Sequence, residues 1–550
     1  MRIVFFIPAL TSKARFHDDL LRKLNGTPLI QHAVSRAREL GGTNQSIHIL
    51  TDSEEVALAA KRSEAHVFLQ AKLELTFSLD NANLHNYIKR AERDSQISVV
   101  LSPYAAVLGI DIFCKARQVF LTEKTDAVIP VRHTSRRVLN DPAEFIWRGF
   151  TGISEEHHYV ESTAFTLLKP GLFTRSKETS LKTATIEIKD EVFEIETAQG
   201  WWVCEKLLKR RRIVFRVIGN KMVGMGHVYR ALSLAHELRD HEVLFVTDTD
   251  NQEAVEAIIR RDYWLGAYPP GKVIEEIIAL RPNLMINDVL NTGKQDIELL
   301  KHSGSKVVSF EDLGPGARCT DLTINELYDQ PRFSEQNVLW GREYFFLRDE
   351  FMLARPNRFA QKVKGIMLAF GGTDQHDLTF RIFEAIRAVC DEYNVHVHIV
   401  TGPGYRGYGR LQREVQVNEG VSLTHDSQVI SGLMEKVQIA ITSNGRTVYE
   451  FAHMNVPAIV IAQHERELTH SFASADNGFV PLGLYRSGNT EEETRQALRN
   501  LLTNPESRKD LHQRLRSHRF TTNKSRVLRL LNRLLEDAAP SDQLTEAVIR

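Results

Sequence analysis

A glycine loop set between a buried strand and an amphipathic helix constrains this chain most. Arg212-Ile213-Val214-Phe215-Arg216-Val217 has the apolar, β-branched character of a buried strand, and Gly224-Met225-Gly226-His227-Val228-Tyr229-Arg230 follows it. Past Gly226, the apolar residues Val228, Leu232, Ala235 and Leu238 fall at helical spacing. Strand, glycine loop and helix start form a natural anion site. Glycine lets backbone N–H groups approach a ligand closely, and the first helical N–H groups have no partner within the helix. A histidine there can exchange a proton near neutral pH. Taken alone, the short G-x-G-H pattern reads equally well as a turn with a solvated histidine.

Composition narrows the function classes. The 550 residues exceed what one core supports and call for several domains. Lys+Arg and Asp+Glu both number 70, so no net charge draws the chain to nucleic acid or anionic lipid. Cys114, Cys204, Cys319 and Cys390 are scattered and form no CxxC pair, which gives neither a zinc site nor a disulfide framework. A reducing, cytoplasmic setting is expected. Met1–Pro8 is too short for a signal-peptide core and reads as a first strand. No apolar run reaches the ~18 residues that a membrane helix needs.

Three α/β regions are expected: 1–210, 211–355 and 356–540. In the first, Ile3–Ile7, Ser46–Asp52, Ile97–Leu101 and Ala127–Val131 read as strands and Leu29–Leu40 as a helix, giving a largely parallel sheet. The basic run Lys209–Arg212 marks its end. A second series has strands at Glu242–Thr247, Leu284–Asn287, Lys306–Phe310 and Leu322–Asn325. The polar stretch Leu353–Lys364, with Pro356, reads as a linker. A third series has strands at Ile366–Phe370, Val395–Thr401, Ile439–Thr442 and Ala458–Ala462. The leucine-patterned, basic stretch Arg508–Arg533 reads as closing helices and the tail after Asp537 as frayed. Two successive α/β lobes imply a ligand cleft between them.

Two loops of the third region repeat the logic of the first. Phe370-Gly371-Gly372-Thr373-Asp374 follows one strand; Ser443-Asn444-Gly445-Arg446-Thr447 follows another and opens a helix. Both offer N–H groups to a diphosphate, and Arg446 adds a charge that pairs with phosphate. The plainer alternative makes Ser443 and Thr447 helix caps.

From Ile213 to about Leu535 the chain resembles the UDP-sugar hydrolases of pseudaminic acid biosynthesis, relatives of the glycosyltransferases of two-lobed GT-B fold. The matching pieces stand in family order: Gly224–Arg230, Val307–Leu313, Ala317–Asn325, Trp340–Phe351, Gly371–Asp374 and Ser443–Glu450. The resemblance implies cleavage of a UDP-linked diacetamido-trideoxy sugar at its anomeric carbon, without a cofactor. His227 would be the base that activates water. The nucleotide sugar would be held by Gly224, Gly226, Arg230, Gly371, Gly372, Thr373, Asp374, Ser443, Asn444, Gly445, Arg446 and Thr447, with Glu450 on the ribose. Ile218 stands where the family commonly has an acid. His464-Glu465-Arg466-Glu467-Leu468-Thr469-His470 stands where it has a neutral Asn-Gln pair. Glu467 and His470, three apart, either face the sugar site or form a local surface pair.

Residues 1–208 resemble the cytidylyltransferases that make CMP-activated nonulosonic acids such as CMP-sialic or CMP-pseudaminic acid. The match rests on Ile7-Pro8-Ala9, Ser12-Lys13, Leu24–Ile30, Thr51-Asp52-Ser53, Glu194-Ile195-Glu196-Thr197, Trp201 and Glu205. It implies CTP and a nonulosonic acid as substrates, with Ser12, Lys13 and Asp52 at the CTP, Mg2+ at Glu194 and Glu196, and homodimers. Leu10 replaces the family arginine, His17-Asp18-Asp19 replaces basic residues, and both metal aspartates are glutamates.

The expected fold is α/β: an N-terminal Rossmann-like nucleotidyltransferase domain followed by a two-lobed GT-B module of two Rossmann-like domains. The expected function is a nucleotide-sugar enzyme of bacterial nonulosonic acid biosynthesis that hydrolyses a UDP-sugar, with a cytidylyltransferase-like partner domain. The alternative is a GT-B glycosyltransferase whose N-terminal domain is structural.

Overall fold

The computed structural model describes residues 2–16, 18–71, 73, 82–134, 158–172, 181–189, 192–220, 222–427 and 429–538, and strand counts refer to these residues. His17 and the tail beyond Ala538 lie outside them. The chain forms two compact units that meet in sequence at Arg210–Arg211.

The N-terminal unit is built on an eight-stranded sheet. Its order runs Thr183–Ile188, Ala127–Thr134, Phe165–Leu168, Ile97–Leu101, Ile3–Ala9, Ile47–Thr51, His66–Leu69, with His158–Glu161 paired beside Ala127–Thr134. Ile3–Ala9 pairs parallel with both Ile47–Thr51 and Ile97–Leu101. Phe165–Leu168 runs antiparallel to both of its neighbours, so the sheet is mixed where the sequence pattern predicts a largely parallel one. Short strands with alternating burial carry no sign of their direction. The core joins the sheet to the helices Leu29–Glu39, Ile110–Thr122 and Ala198–Leu208.

The second unit contains two wholly parallel sheets. The first has the order Trp264–Tyr268, Glu242–Asp248, Arg212–Val217, Leu284–Asp288, Lys306–Phe310, Leu322–Asn325, Val338–Trp340. The second has the order Val421–His425, His396–Thr401, Gly365–Ala369, Ile439–Ser443, Ala458–Ala462, Phe479–Leu484. In each, the chain starts at a central strand, winds outward to one edge, then returns and winds to the other. This doubly wound order creates a switch point beside the first strand, where ligands bind beyond the strand carboxyl ends. Leu284–Asp288, Gly365–Ala369, Ile439–Ser443 and Ala458–Ala462 are buried throughout, as central parallel strands covered on both faces must be.

The stretch Trp340–Phe351 stitches the two lobes together. Phe346 packs in the core of the first lobe, while Phe345, Leu347 and Phe351 pack with the second. Phe345 stacks on Tyr449 at 3.9 Å between ring centroids, and Tyr449 stacks on Phe472 at 4.2 Å. The final helix, Asn523–Asp537, returns to the first lobe and buries Val527, Leu531 and Leu535 in its core. No helix among the described residues is long and apolar enough to cross a membrane.

Candidate functional site

The helix Gly226–Glu237 buries His227, Val228, Arg230, Leu232 and Ala235, so the apolar stripe read from the sequence is its inward face. The loop before it is held by Asn220. Its side-chain oxygen accepts from Met222 N at 2.9 Å and Val223 N at 3.0 Å, and its amide donates to Asn251 Oδ1 at 2.9 Å. Gly224 sits at φ +86°, a left-handed conformation that glycine adopts without steric cost. No side chain caps the helix, so its first N–H groups stay available.

Across the cleft, the second lobe brings its two loops to the same place. A Cβ on Gly372 would lie 3.8 Å from Gly224 Cα, and one on Gly226 would lie 3.5 Å from Arg446 Cδ. Gln375 Nε2 donates to the Met222 carbonyl at 2.6 Å, bridging the lobes. The helix Thr447–His453 also starts without a side-chain cap. Ser443 and Thr447 are therefore not its caps, and Gly445, Arg446 and Thr447 at its start line the cleft. The enclosed volume is about 430 Å³.

Of the residues the sequence nominates in this unit, fourteen line the cleft: Gly224, Gly226, His227, Arg230, Gly371, Gly372, Thr373, Ser443, Gly445, Arg446, Thr447, Glu450, Glu467 and His470. Asp374 and Asn444 do not. The buried Asp374 carboxylate accepts from Leu378 N and Thr379 N, both at 2.7 Å, and so caps the helix Leu378–Tyr393. The Asn444 amide donates to the carbonyls of Glu467 at 2.7 Å and His470 at 3.0 Å and braces the opposite loop. Glu450 lines the cleft while accepting from Arg348 Nε at 2.9 Å.

His227 lines the cleft from the first lobe. Its Nδ1 lies 2.6 Å from Asp288 Oδ1. Burial pushes the Asp288 carboxyl up, but the adjacent Arg230 charge, then His227 and hydrogen bonds from both, outweigh it and hold the group below its usual range. An ionised carboxylate only accepts, so Nδ1 carries the hydrogen, and in the neutral ring the lone pair is then on Nε2. Arg230 Nη2 is 3.1 Å from the same nitrogen, but both groups are donors and the hydrogen belongs to the bond with Asp288. A carboxylate that fixes the tautomer and steadies the imidazolium is the arrangement of a general base.

Arg230, which the sequence nominates as a substrate ligand, uses its guanidinium for bonds within the protein. It is buried, donates to Asp288 Oδ2 at 2.7 Å and Glu311 Oε2 at 3.0 Å, and also pairs with Glu326. Arg446 pairs with Glu326 from the other lobe and donates to the Phe346 carbonyl at 3.2 Å. Two guanidinium groups thus meet three carboxylates in direct contact. Asp288, Glu311 and Glu326 were not foreseen as site residues. Their one sequence signal is an acid at or just past the end of an apolar strand: Asp288 ends Leu284–Asp288, and Glu311 and Glu326 follow Lys306–Phe310 and Leu322–Asn325.

Glu467 and His470 are both buried and do not form a surface pair. Glu467 Oε2 accepts from Gln463 N at 2.7 Å, and burial pushes its carboxyl up. His470 Nδ1 donates to the Asn444 carbonyl at 2.7 Å, and its buried Nε2 has no hydrogen-bond partner among the described residues. Arg466 lines the cleft beside them, its Nη2 donating to the Glu311 carbonyl at 2.7 Å.

Gly402, which the sequence did not single out, backs the Gly371–Thr373 loop. A Cβ there would fall 2.4 Å from Gly372 Cα and 2.6 Å from its carbonyl oxygen. Gly402→Ala must push that loop into the cleft. UDP affinity measured by calorimetry should fall about tenfold or more, since 1.4 kcal/mol is tenfold and an overpacked contact costs about 1–3 kcal/mol. Unchanged affinity would show that the loop does not touch the nucleotide.

In the N-terminal unit, Ser12 and Lys13 lie in an exposed 3-10 turn after Ile3–Ala9. Asp52 accepts from Thr11 N at 2.7 Å, Thr11 Oγ1 at 2.9 Å and Ser12 N at 3.1 Å. Asp19, which the sequence sets against a triphosphate, is buried and accepts from Arg15 N at 2.7 Å and the Tyr104 hydroxyl at 2.8 Å. Glu194 takes the hydroxyls of Ser162 at 2.7 Å and Thr163 at 2.6 Å, with Arg15 Nη2 3.9 Å away; Glu196 is exposed. Mg2+ is bound through one or two carboxylates completed by substrate phosphates. Of the two nominated carboxylates, Glu194 thus accepts two hydroxyls near the Arg15 guanidinium and Glu196 is open to solvent.

With this geometry in place, similarity to known proteins locates the unit. The chain is related to a UDP-sugar hydrolase. It is 25% identical over 247 residues to the UDP-2,4-diacetamido-2,4,6-trideoxy-beta-L-altropyranose hydrolase of Campylobacter jejuni, covering 44% of this chain and 87% of that one. It is 26% identical over 275 residues to the spore coat polysaccharide biosynthesis protein SpsG of Bacillus subtilis, covering 48% and 80%. An uncharacterized protein of Methanocaldococcus jannaschii is 27% identical over 269 residues; this chain spans 54% of its length. Among solved structures, Acinetobacter baumannii MurG has a TM-score of 0.44 at 15% identity, over 59% of this chain and 99% of that one. A CMP:2-keto-3-deoxy-manno-octonic acid synthetase has a TM-score of 0.29 at 11% identity, over 38% and 98%. No known protein-family profile matches the chain.

Proposed function

We propose that residues 211–540 hydrolyse a UDP-linked amino or acetamido deoxy sugar at its anomeric carbon and release UDP, as a step of bacterial nonulosonic acid biosynthesis. The observation that carries this is the His227–Asp288 pair standing opposite the Gly371 and Ser443 loops across one cleft. The diphosphate lies against the N–H groups of those loops, which favour negative charge as it develops on the leaving group. His227 Nε2 takes a proton from water; the water oxygen bonds to the anomeric carbon; the carbon–oxygen bond to the β-phosphate breaks, and its electron pair leaves with UDP. Asp288 steadies the imidazolium that forms. UDP is a good leaving group and needs no proton, so a single base is enough. The name of the Campylobacter relative describes the same substrate chemistry.

A second reading, transfer of the sugar to an acceptor hydroxyl, draws on His464 and Arg466. Both line the cleft where the resemblance implies an Asn-Gln pair, and an imidazole and a guanidinium there suit a polar acceptor. Incubation with UDP-sugars and no acceptor separates the two. Sustained UDP release is expected for hydrolysis, while release seen only when an acceptor is added would establish transfer.

A further inference from the structure

We propose that Arg348 is a positioning residue for the nucleoside end of the cleft: it holds the Glu450 carboxylate and, through Glu350, the backbone at Ile430 and Ser431 as one bracket, which makes the site prefer a ribonucleotide to its 2′-deoxy counterpart. This rests on the reading of the cleft as a UDP-sugar site.

Three elements build the bracket. Arg348 belongs to the stretch that stitches the lobes together, and it lines the cleft. Its Nε donates to Glu450 Oε1 at 2.9 Å, and its Nη1 forms an ion pair with Glu350 Oε1 at 2.8 Å. The other Glu350 oxygen, Oε2, accepts from Ile430 N and Ser431 N, both at 2.9 Å. Those N–H groups open the short helix Ser431–Met434, which carries no side-chain cap of its own, so a carboxylate from another element caps it. The Arg348 guanidinium lies over Phe351, 5.2 Å from the ring centroid. Burial works against its charge, but Glu450 first and then Glu350 outweigh burial and hold the group above its ordinary range.

Each carboxylate sets one wall of the nucleoside end. Glu450 stands three residues past Thr447 on the helix Thr447–His453. That is one turn, roughly 5 Å, from the loop that meets the diphosphate, which is where the ribose of a bound nucleotide falls. A carboxylate accepts from two neighbouring hydroxyls, and its charge strengthens both bonds. Beside it, Leu347, Val400 and Ile430 line the cleft and belong to one apolar cluster, a slot for a planar base. The guanidinium between Glu450 and Glu350 aims the first at the ribose and, through the second, fixes Ile430 against the base. Without it, the two carboxylates lose the cation that joins them, and neither wall keeps its place.

The test uses the full chain in calorimetry with UDP, 2′-deoxy-UDP and pyrophosphate as probes. The parent chain should bind UDP about tenfold or more tightly than 2′-deoxy-UDP, the effect of one hydrogen bond to a charged acceptor. Arg348→Met keeps an apolar stem over Phe351 and removes the fork. Its UDP affinity should fall about tenfold or more and its preference for UDP over 2′-deoxy-UDP should shrink to within about threefold, while pyrophosphate affinity stays within about threefold of the parent. Arg348→Lys keeps the charge but cannot bridge both carboxylates, so its preference should lie between the two. A folded Arg348→Met or Arg348→Lys chain with the full parent preference would overturn the proposal, as would a parent chain that lacks the preference. Pyrophosphate affinity lost in step with UDP affinity would also overturn it, because that pattern marks general damage to the cleft. A parent chain that binds UDP with this preference yet releases none from UDP-sugars would sink hydrolysis and leave the role of Arg348 standing.

Discussion

His227→Ala should lower the rate of UDP release by about 10²–10⁴-fold, the usual contribution of a positioned general base, while the affinity for UDP stays within a factor of about two. The separation follows from where the side chain stands. His227 belongs to the first lobe and is bonded to Asp288, whereas the diphosphate loops belong to the second. Removing the imidazole deletes the proton acceptor and leaves the loops untouched. Asp288→Asn tests the same unit from behind. The amide can offer Nδ2–H to Nδ1, which moves the ring hydrogen to Nε2 and removes the lone pair facing the cleft. Its loss of turnover should approach that of His227→Ala, and the double variant should be no worse than the single ones, since the two residues act together. Measured kcat values for the four proteins decide this. Additive losses would mean that Asp288 acts elsewhere.

Arg230→Met should have the largest effect on stability. Arg230 is buried against Asp288, Glu311 and Glu326, and burial is the strongest influence on it, opposed by these carboxylates. Replacing it removes the one guanidinium that bonds Asp288, Glu311 and Glu326 together. Breaking a buried ion network by removing one partner costs about 3–5 kcal/mol, because the remaining charge is uncompensated. For a unit of this size the melting temperature should drop on the order of 10 °C. Arg230→Lys should rescue little, since one ammonium cannot reach three carboxylates that a planar fork holds together. Because Asp288 is a shared partner, Arg230→Met should also disturb the His227 tautomer and reduce turnover. Melting of residues 211–540, followed by calorimetry, gives the answer. An unchanged melting temperature would mean that the cluster is neither as buried nor as coupled as the geometry has it.

The sequence was most legible where burial is complete. Leu284–Asp288, Lys306–Phe310, Ile439–Ser443 and Ala458–Ala462 are apolar runs that parallel sheets bury on both faces, and they lie within a residue of their expected places. The outer strands Trp264–Tyr268, Val338–Trp340, Val421–His425 and Phe479–Leu484 were not read as strands. They are partly exposed, and their apolar pattern is diluted. The site divides in the same way. The glycine loops and His227 are local signals, a strand followed by a turn and a helix start. Asp288, Glu311 and Glu326 are single acids contributed by three separate strand ends, and only the fold gathers them around Arg230. Asp52 and Asp374 show a different limit. Each stands at a motif position, but whether an acid meets a ligand or ties down its own loop depends on a side-chain direction that no one-dimensional pattern carries.

The central claim is that water attacks the anomeric carbon of a UDP-sugar in the cleft headed by His227. The reaction run in 18O-labelled water without acceptor tests it most directly, with the UDP product read by mass spectrometry. UDP that carries no label, formed by the parent chain and lost in His227→Ala, is the predicted result. Label on the β-phosphate would place the attack on phosphorus and contradict the account, as would UDP formation that persists undiminished without His227.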